Sequence, residues 1–231
     1  MVGVAVIGAA AYFLTAKPPA ASAPQPAAAA LAPSGPAVAA APVQAPAPAS
    51  ATAGSANVPF NPNAALDQVV AGASADRVVT VAPEKARVII AKDRFNFTVH
   101  ANHAGYLYVQ MVGSDSNNFY LLFPNAIDKN NRIAAGQTLK LPRPGWRLDV
   151  PGPAGTDHFV AIVSDVPRSF ASAGLLAGDP FSEFPIARVR QLQQSYTGST
   201  PLFAGTPDCA TAPACSPAYG ATKFTIDEVN P

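Results

Sequence analysis

The densest hydrophobic pattern of the chain lies in residues 95–125, where aromatic and β-branched residues form three short runs. Clusters of Gly, Asn, Asp and Ser separate the runs and have the composition of turns. Such runs are typical of β-hairpins, in which a turn joins two antiparallel strands. The pattern therefore predicts three consecutive strands of one antiparallel meander, at residues 95–100, 105–111 and 119–123.

Further apolar runs extend this pattern on both sides, some of them alternating with polar residues and some continuous, as at residues 88–90, where a strand covered on both faces is expected. Alternate side chains of a strand point to opposite faces, so Leu139 and Leu141 are expected on one face, as are Phe224 and Ile226. Trp146 lies in such a run and is interpreted as a core residue rather than a platform for a ligand. These additional strands are predicted at residues 77–81, 87–91, 138–141, 146–150, 158–163 and 221–229.

Helical features occur in two places. Asn61-Pro-Asn63 has the composition of a helix start and precedes a predicted helix at residues 64–71. A second helix is predicted at residues 186–195, where Val189 and Leu192 follow helical spacing. Many short strands with Gly/Pro turns and few helices indicate an all-β fold. We predict an antiparallel, Ig-like β-sandwich with one or two short flanking helices.

The N-terminal quarter has a different character. Residues 2–16 are apolar and uncharged, but they are fewer than the roughly 20 that span a bilayer. A cleaved signal, a core element and the remainder of a transmembrane helix stay open as interpretations, and a membrane anchor is favoured. Residues 18–56 are rich in Pro and Ala and predict a disordered, extended linker. The predicted organisation is an apolar segment at 1–17, a linker at 18–56 and a domain at 57–231.

Charge and cysteine content narrow the classes of partner and compartment. The formal net charge is +1, which gives no dense basic face for a nucleic acid. Cys209 and Cys215 enclose five residues, a spacing compatible with a disulfide in an oxidising compartment. Two reduced thiols in a cytosolic protein are the alternative, and the disulfide is favoured.

Metal chemistry has little support in the residue pattern. His100 and His103 are three positions apart, which places them on opposite faces of a strand, and Asp115 is the nearest third ligand. The Asp- and Asn-rich loops lack the spacing of a calcium loop, and their turn-forming role explains them. We therefore expect neither a metal nor a cofactor.

Catalytic motifs are also missing from the sequence. The Gly-rich loop, the His-Arg-Asp string and the Asp-Phe-Gly string of a protein kinase do not occur. Ser114, Ser164 and Ser169 have no Gly-x-Ser-x-Gly context. An undetected hydrolase that uses His158 is the last alternative, and a non-catalytic protein is expected.

Tyr106, Tyr108 and Gln110 share one face of a predicted strand. If that face is open, these three residues form a candidate binding face. If it is covered, they pack beneath the second sheet of the sandwich.

The order of several short motifs resembles a bacterial β-sandwich domain that is catalogued only as a domain of unknown function. The motifs are Phe95-x-Phe-x-Val, Gly105-Tyr-Leu-Tyr-Val, Leu122-Phe-Pro-Asn125, Asn131-x-Ile133, Ala135-Gly136 and Leu141-Pro142. The likeness covers residues 78–164. Relatives stand at the C-terminal, extracytoplasmic end of membrane-anchored serine/threonine kinases and beside caspase-like peptidases. The resemblance implies an accessory or sensory role and carries over no catalytic residue.

These observations lead to one preferred function and one main alternative. The preferred function is a membrane-tethered, extracytoplasmic sensor or protein-interaction domain, the accessory C-terminal part of a kinase-type signalling protein. Its expected partners are the membrane, through the N-terminal segment, and an envelope protein or ligand. The alternative is a secreted or envelope-associated structural protein.

Overall fold

Short strands follow one another through most of the computed structural model, which describes residues 60–210 and 215–231. Two α-helices and two 3-10 helices (η) interrupt them. The elements are α1 Pro62–Ala71, β1 Val79–Pro83, β2 Arg87–Ile89, β3 Phe97–Ala101, β4 Gly105–Val112, β5 Phe119–Phe123, β6 Arg132–Ile133, β7 Thr138–Leu141, β8 Gly155–Ser164, β9 Arg168–Ser169, η1 Ala171–Ala173, β10 Ser182–Glu183, α2 Ile186–Ser195, η2 Leu202–Ala204, β11 Thr206–Pro207 and β12 Tyr219–Val229.

The strands form two main sheets. A three-stranded sheet has the order β1-β3-β7, and its pairs are antiparallel. A seven-stranded sheet has the order β10-β5-β4-β8-β12-β2, with β6 paired to β4. In that sheet β2 runs parallel to β12, while the other pairs are antiparallel. A two-stranded ladder of β9 and β11 lies apart from both.

The large sheet is covered on both faces. One cluster of buried side chains joins it to the small sheet, for example through Phe97, Val109 and Phe159. A second cluster joins its opposite face to α1, α2, η1 and η2, for example through Leu66 and Ile162. This explains the nearly continuous apolar run of β8, because a central strand that is buried on both faces needs apolar residues at successive positions.

Local chemistry accounts for the first helix. Asn61 caps α1, since its Oδ1 accepts hydrogen bonds from the backbone N–H groups of Asn63 (2.9 Å) and Ala64 (3.2 Å). Pro62 occupies the first turn, where a missing N–H costs nothing. Both predicted helices are confirmed, and α2 has the predicted bounds.

The mainly β fold is confirmed, but the prediction of a purely antiparallel sandwich is wrong because β2 and β12 are parallel. The division into three and seven strands also differs from the nearly equal sheets of an Ig-like domain. The helical layer is a third layer that an Ig-like sandwich does not have.

The predicted three-strand meander is wrong in its first pair. Strand β3 pairs with β1 and β7 in the small sheet, while β4 pairs with β5, β6 and β8 in the large one. The connection between them crosses from sheet to sheet and is fixed by Asn102. Its side chain accepts from the Val78 N–H (2.9 Å) and donates to the Asp76 carbonyl (2.9 Å).

The run at residues 146–150 forms only one isolated bridge, between Asp149 and Arg94, and is not a regular strand. Its inward alternation is nevertheless observed, because Leu148 and Val150 are buried in the core. Leu139 and Leu141 also face that core, as do Phe224 and Ile226, as predicted.

The predicted apolar segment and linker, residues 1–17 and 18–56, lie outside the described residues. Within residues 60–210 and 215–231, no helix is long and apolar enough to cross a membrane.

Candidate functional site

The structure joins Cys209 and Cys215 in a disulfide, with their Cα atoms 5.2 Å apart. Hydrogen bonds on either side tie this loop to the end of β8. The Asp208 N–H donates to the Pro167 carbonyl (2.7 Å), and the Ser216 hydroxyl donates to Oδ2 of Asp165 (2.8 Å). The disulfide therefore closes a loop that is already anchored at both ends.

The candidate binding face on β4 is not open. Tyr108 and Gln110 are buried, and Tyr106 is half-buried. Their face of the sheet lies beneath the helical layer rather than beneath the second sheet. The Gln110 amide donates to the Phe203 carbonyl (2.8 Å), and the Tyr108 hydroxyl accepts from the Arg168 N–H (2.7 Å). These two residues thus hold the layers together and do not present a surface to a partner.

Arg168 is the charged residue at the centre of that contact. Its guanidinium donates to the Ser164 hydroxyl (2.7 Å) and to the carbonyls of Ala204 (3.2 Å) and Gly205 (2.9 Å), and it lies over the Tyr219 ring. Burial lowers the pKa of Arg168. Its donors meet neutral acceptors, which indicates a structural clamp rather than an anion site.

The residues considered for hydrolysis do not assemble a catalytic group. The hydroxyl of Ser114 donates to the Pro153 carbonyl (2.8 Å), and that of Ser164 accepts from Arg168. His158 is half-buried on β8, where burial lowers its pKa. None of the hydrogen bonds found among the described residues joins His158 to a serine, which a Ser–His pair requires.

The histidines considered for a metal also separate. His103 lies near the Asp165 carboxylate (4.0 Å) and contacts the Val163 carbonyl (3.2 Å), whereas His100 lies on β3 in the small sheet. Among residues 60–210 and 215–231, no group of three His, Cys, Asp or Glu residues could hold a metal ion.

Two acidic side chains, Asp157 and Glu228, form a buried pair in the core. Asp157 on β8 and Glu228 on β12 are 1% and 3% exposed. Asp157 accepts a hydrogen bond from the Ser114 N–H (2.9 Å), and its carboxyl faces that of Glu228. Burial, together with the Glu228 carboxyl, raises the pKa of Asp157 to about 8. The pair is enclosed in the core, so we assign it to stability and pH response.

An open groove of about 700 Å³ lies beside the edge strand β10. We call it the Trp146 groove. Its floor and sides are aromatic, aliphatic and proline side chains, and its rim is charged. The lining residues are Arg94, Ile127, Gly145, Trp146, Arg147, Asp149, Pro151, Pro180 and Phe181.

Packing from below fixes Trp146, which the sequence placed in the core. Its ring stacks on Phe123 (6.2 Å between centroids) and meets the edge of Phe181 (5.9 Å). The indole N–H donates to Oδ2 of Asp128 (3.0 Å), and Arg143 also bonds to that carboxylate. Arg143 and, to a smaller extent, Trp146 lower the pKa of Asp128, although burial opposes them. Trp146 is therefore both a core residue and a rigid part of the groove floor.

Charge lines one side of the groove. Arg147 donates to Asp149 (2.9 Å), and Arg94 lies 3.7 Å from the same carboxylate. The groove continues into a cavity of about 460 Å³ that shares these three residues and adds Lys92 and Asp93. The site thus combines a fixed apolar floor with exposed charged side chains, a combination suited to binding.

Another cavity, of about 420 Å³, lies at the C-terminal ends of α1 and α2 and is lined mainly by Gln, Ser, Thr and Gly residues. Its one aromatic lining residue is Tyr196, whereas the Trp146 groove has the contacting pair of Trp146 and Phe181. We therefore take the Trp146 groove as the candidate functional site.

This fold and groove define a mainly β domain with an open surface site. Residues 90–167 match the model of a family described as a domain of unknown function, DUF4384. No curated protein and no solved structure matches the chain. The resemblance to a domain of unknown function is confirmed for this stretch, whereas the association with kinases and peptidases stays a prediction. All groove residues except Pro180 and Phe181 lie within the matched stretch.

Sequence reasoning missed the groove because its residues come from distant segments. Two local signals pointed towards it. Ile127 is an apolar residue within a polar loop and is 57% exposed. Trp146 is flanked by Arg143 and Arg147, which is unusual for a residue that only packs in a core.

Proposed function

We propose that this chain is a non-catalytic protein-interaction domain, tethered outside the cytoplasm by its N-terminal apolar segment and linker. The observation that carries the proposal is the Trp146 groove. It offers a fixed aromatic floor, an exposed Ile127 and a charged rim, which are the components of a protein-binding hot spot. In this proposal the domain is the accessory, sensing part of a kinase-type signalling protein.

The shape of the groove supports a protein partner over a small metabolite. Small ligands are usually held in enclosed cavities that bury most of their surface. The groove is open along its length and joins a second cavity at Arg94 and Arg147. An elongated segment of a protein chain fits such a surface better.

The hydrogen bonding of the candidate catalytic residues supports a role without catalysis. Ser114 and Ser164 are each hydrogen-bonded to groups other than His158. The carboxyl pair of Asp157 and Glu228 is buried in the core.

Site-specific photocrosslinking in the cells that produce the protein tests the interaction. A photoreactive amino acid at Ile127 reports on the groove, and one at Val78, which is 50% exposed, serves as the matched control. We expect a discrete adduct from position 127, no adduct from position 78, and loss of the adduct when Arg147→Glu is introduced. Equal adducts from both positions, or none from position 127, would refute the groove as an interface.

The oxidation state of Cys209 and Cys215 tests whether the domain lies outside the cytoplasm. The Cys209–Cys215 disulfide supports an oxidising environment only weakly, because it forms within one short loop. We expect free thiols to be absent from material exported to a bacterial periplasm and present in the same chain made in the cytoplasm. Free thiols in both preparations, with equal stability, would return the domain to the cytosol.

A further inference from the structure

We propose that the Trp146 groove takes an extended segment of a partner protein that carries an apolar anchor followed by a carboxylate side chain. The anchor lies on the floor made by Trp146 and Phe181, and the carboxylate binds Arg94 and Arg147. This inference rests on the proposed interaction function and specifies its ligand.

The anchor follows from the floor. Trp146 is held by Phe123 and Asp128 and cannot swing away, so its exposed part is a preformed surface. Phe181 and the exposed Ile127 flank it. A volume of about 700 Å³ accommodates a large side chain together with the backbone on either side of it. Preformed aromatic surfaces of this kind bind well because little side-chain entropy is lost on association.

The carboxylate follows from the balance of charge on the rim. Each guanidinium carries five N–H donors, and Asp149 supplies one carboxylate to both arginines. The Arg94 and Arg147 side chains are 57% and 64% exposed, so donors remain accessible to an incoming anion. A carboxylate that approaches two guanidinium groups forms strong, charge-assisted hydrogen bonds.

The adjoining cavity adds positive charge to the groove. Lys92 lines it, while Asp93 is already engaged by the Lys85 ammonium (2.6 Å) and the Ile89 N–H (2.8 Å). The groove and its extension therefore present two arginines and Lys92 against the shared Asp149. Charge complementarity favours an acidic segment.

The Pro/Ala linker of this chain is the competing occupant. Proline-rich segments dock on aromatic grooves, so the floor alone would accept it. However, no Asp, Glu, Lys or Arg lies between Lys17 and Asp67. The linker cannot supply the carboxylate that the rim calls for, and an acidic partner segment is the better match.

Trp146 itself provides the assay, because it is the single tryptophan of the chain. The full chain is titrated with three synthetic peptides while tryptophan emission is recorded. The first is Ala-Pro-Leu-Pro-Asp-Asp-Ala with blocked ends, and the second replaces both Asp residues by Asn. The third has the linker sequence PAVAAAPVQAPAPAS of residues 36–50.

We expect the acidic peptide to shift the emission in a saturable way and to bind about tenfold more tightly than its Asn counterpart. Arg147→Glu should remove this preference, whereas Arg188→Glu, at an exposed position of α2 outside the groove, should preserve it. Added salt should weaken the binding of the acidic peptide more than that of the neutral peptide.

Equal binding of the acidic and neutral peptides would overturn the carboxylate requirement and leave the groove as an apolar interface. Tighter binding of the linker peptide would overturn the partner segment in favour of the chain's own linker. No response to any peptide, with the Ile127 crosslink still formed, would overturn the extended ligand but leave the interaction function standing. Loss of that crosslink as well would overturn both.

Discussion

The buried acid pair yields a sharp test of the structure through Asp157→Asn. Asp157 and Glu228 project from neighbouring strands into the core between the two sheets. Oδ2 of Asp157 and Oε2 of Glu228 receive no hydrogen bond from other N–H or O–H groups of the described chain. One proton shared between the two carboxyls explains how both remain buried. An asparagine keeps the shape, accepts from the Ser114 N–H and donates to Glu228 without needing that proton.

The sign of the pH dependence of the unfolding free energy follows from the direction of the Asp157 pKa shift. Asp157 has a pKa of about 8 when folded, against about 3.9 in an unfolded chain. Between these values the folded state binds one more proton, so the free energy of unfolding falls as pH rises. The slope is about 1.4 kcal/mol per pH unit for one proton. From about pH 5 to about pH 7 the wild type should therefore lose about 3 kcal/mol that Asp157→Asn does not lose.

Urea unfolding at a series of pH values, followed by tryptophan emission, measures this difference. Glu228→Gln separates the two causes of the shift, because it removes the neighbouring carboxyl but leaves the burial of Asp157. This variant should reduce the slope of the unfolding free energy against pH only in part, since burial is the larger cause of the raised Asp157 pKa.

Asp128→Asn is the control with the opposite sign. Arg143 lowers the Asp128 pKa, so this carboxylate stabilises the fold above about pH 4 and loses that effect as pH falls through the folded pKa. The difference in unfolding free energy between Asp128→Asn and the wild type should stay constant from about pH 5 to about pH 7. If the difference between wild type and Asp157→Asn is equally constant over that range, Asp157 is ionised throughout and the shared proton is refuted.

Three further predictions concern the packing around Gly220, the disulfide and the Arg168 clamp. Gly220→Ala should cost about 3 kcal/mol or more in unfolding free energy, because a Cβ there would lie 2.0 Å from a backbone carbonyl oxygen, whereas Gly113→Ala, with its nearest neighbour at 3.5 Å, should be nearly neutral in the same urea titration. Replacing Cys209 and Cys215 by serine should cost about 2 kcal/mol, the loop entropy of a short disulfide, and reductant should destabilise only the wild type. Arg168→Lys should cost about 2 kcal/mol, since an ammonium cannot reach the separate acceptors of the guanidinium, and an unchanged thermal midpoint would contradict the clamp.

Much of the secondary structure could be predicted because its causes are local. Turn residues separate the strands, and side-chain alternation shows which residues share a face. Leu139 and Leu141 illustrate this, since both point into the core as their spacing predicted. The second helix has its predicted bounds because the proline before it and the helical spacing within it are both readable from sequence.

Pairing could not be predicted in the same way. Alternation in β3 fits any antiparallel neighbour, so nothing local distinguishes β4 from β1 and β7. The parallel pair joins Val88 to Glu228, which are far apart in sequence. For Tyr108 the spacing showed which face it occupies, but the helical layer that covers this face comes from both ends of the domain.

The Trp146 groove is also built from residues that lie far apart in the sequence. Its arginines and Trp146 belong to the stretch that matches the family model, whereas Phe181 comes from the segment that follows it. The charged rim is thus encoded within the matched stretch, and one aromatic residue of the floor is contributed from outside it. We therefore expect Phe181→Ala to weaken the binding of the acidic and the neutral peptide by the same factor, because the substitution removes only apolar contact. Arg147→Glu should instead abolish the difference between them. If Phe181→Ala also removed the acidic preference, anchor and charge would act as one unit, and the division of the groove into two independent parts would be wrong.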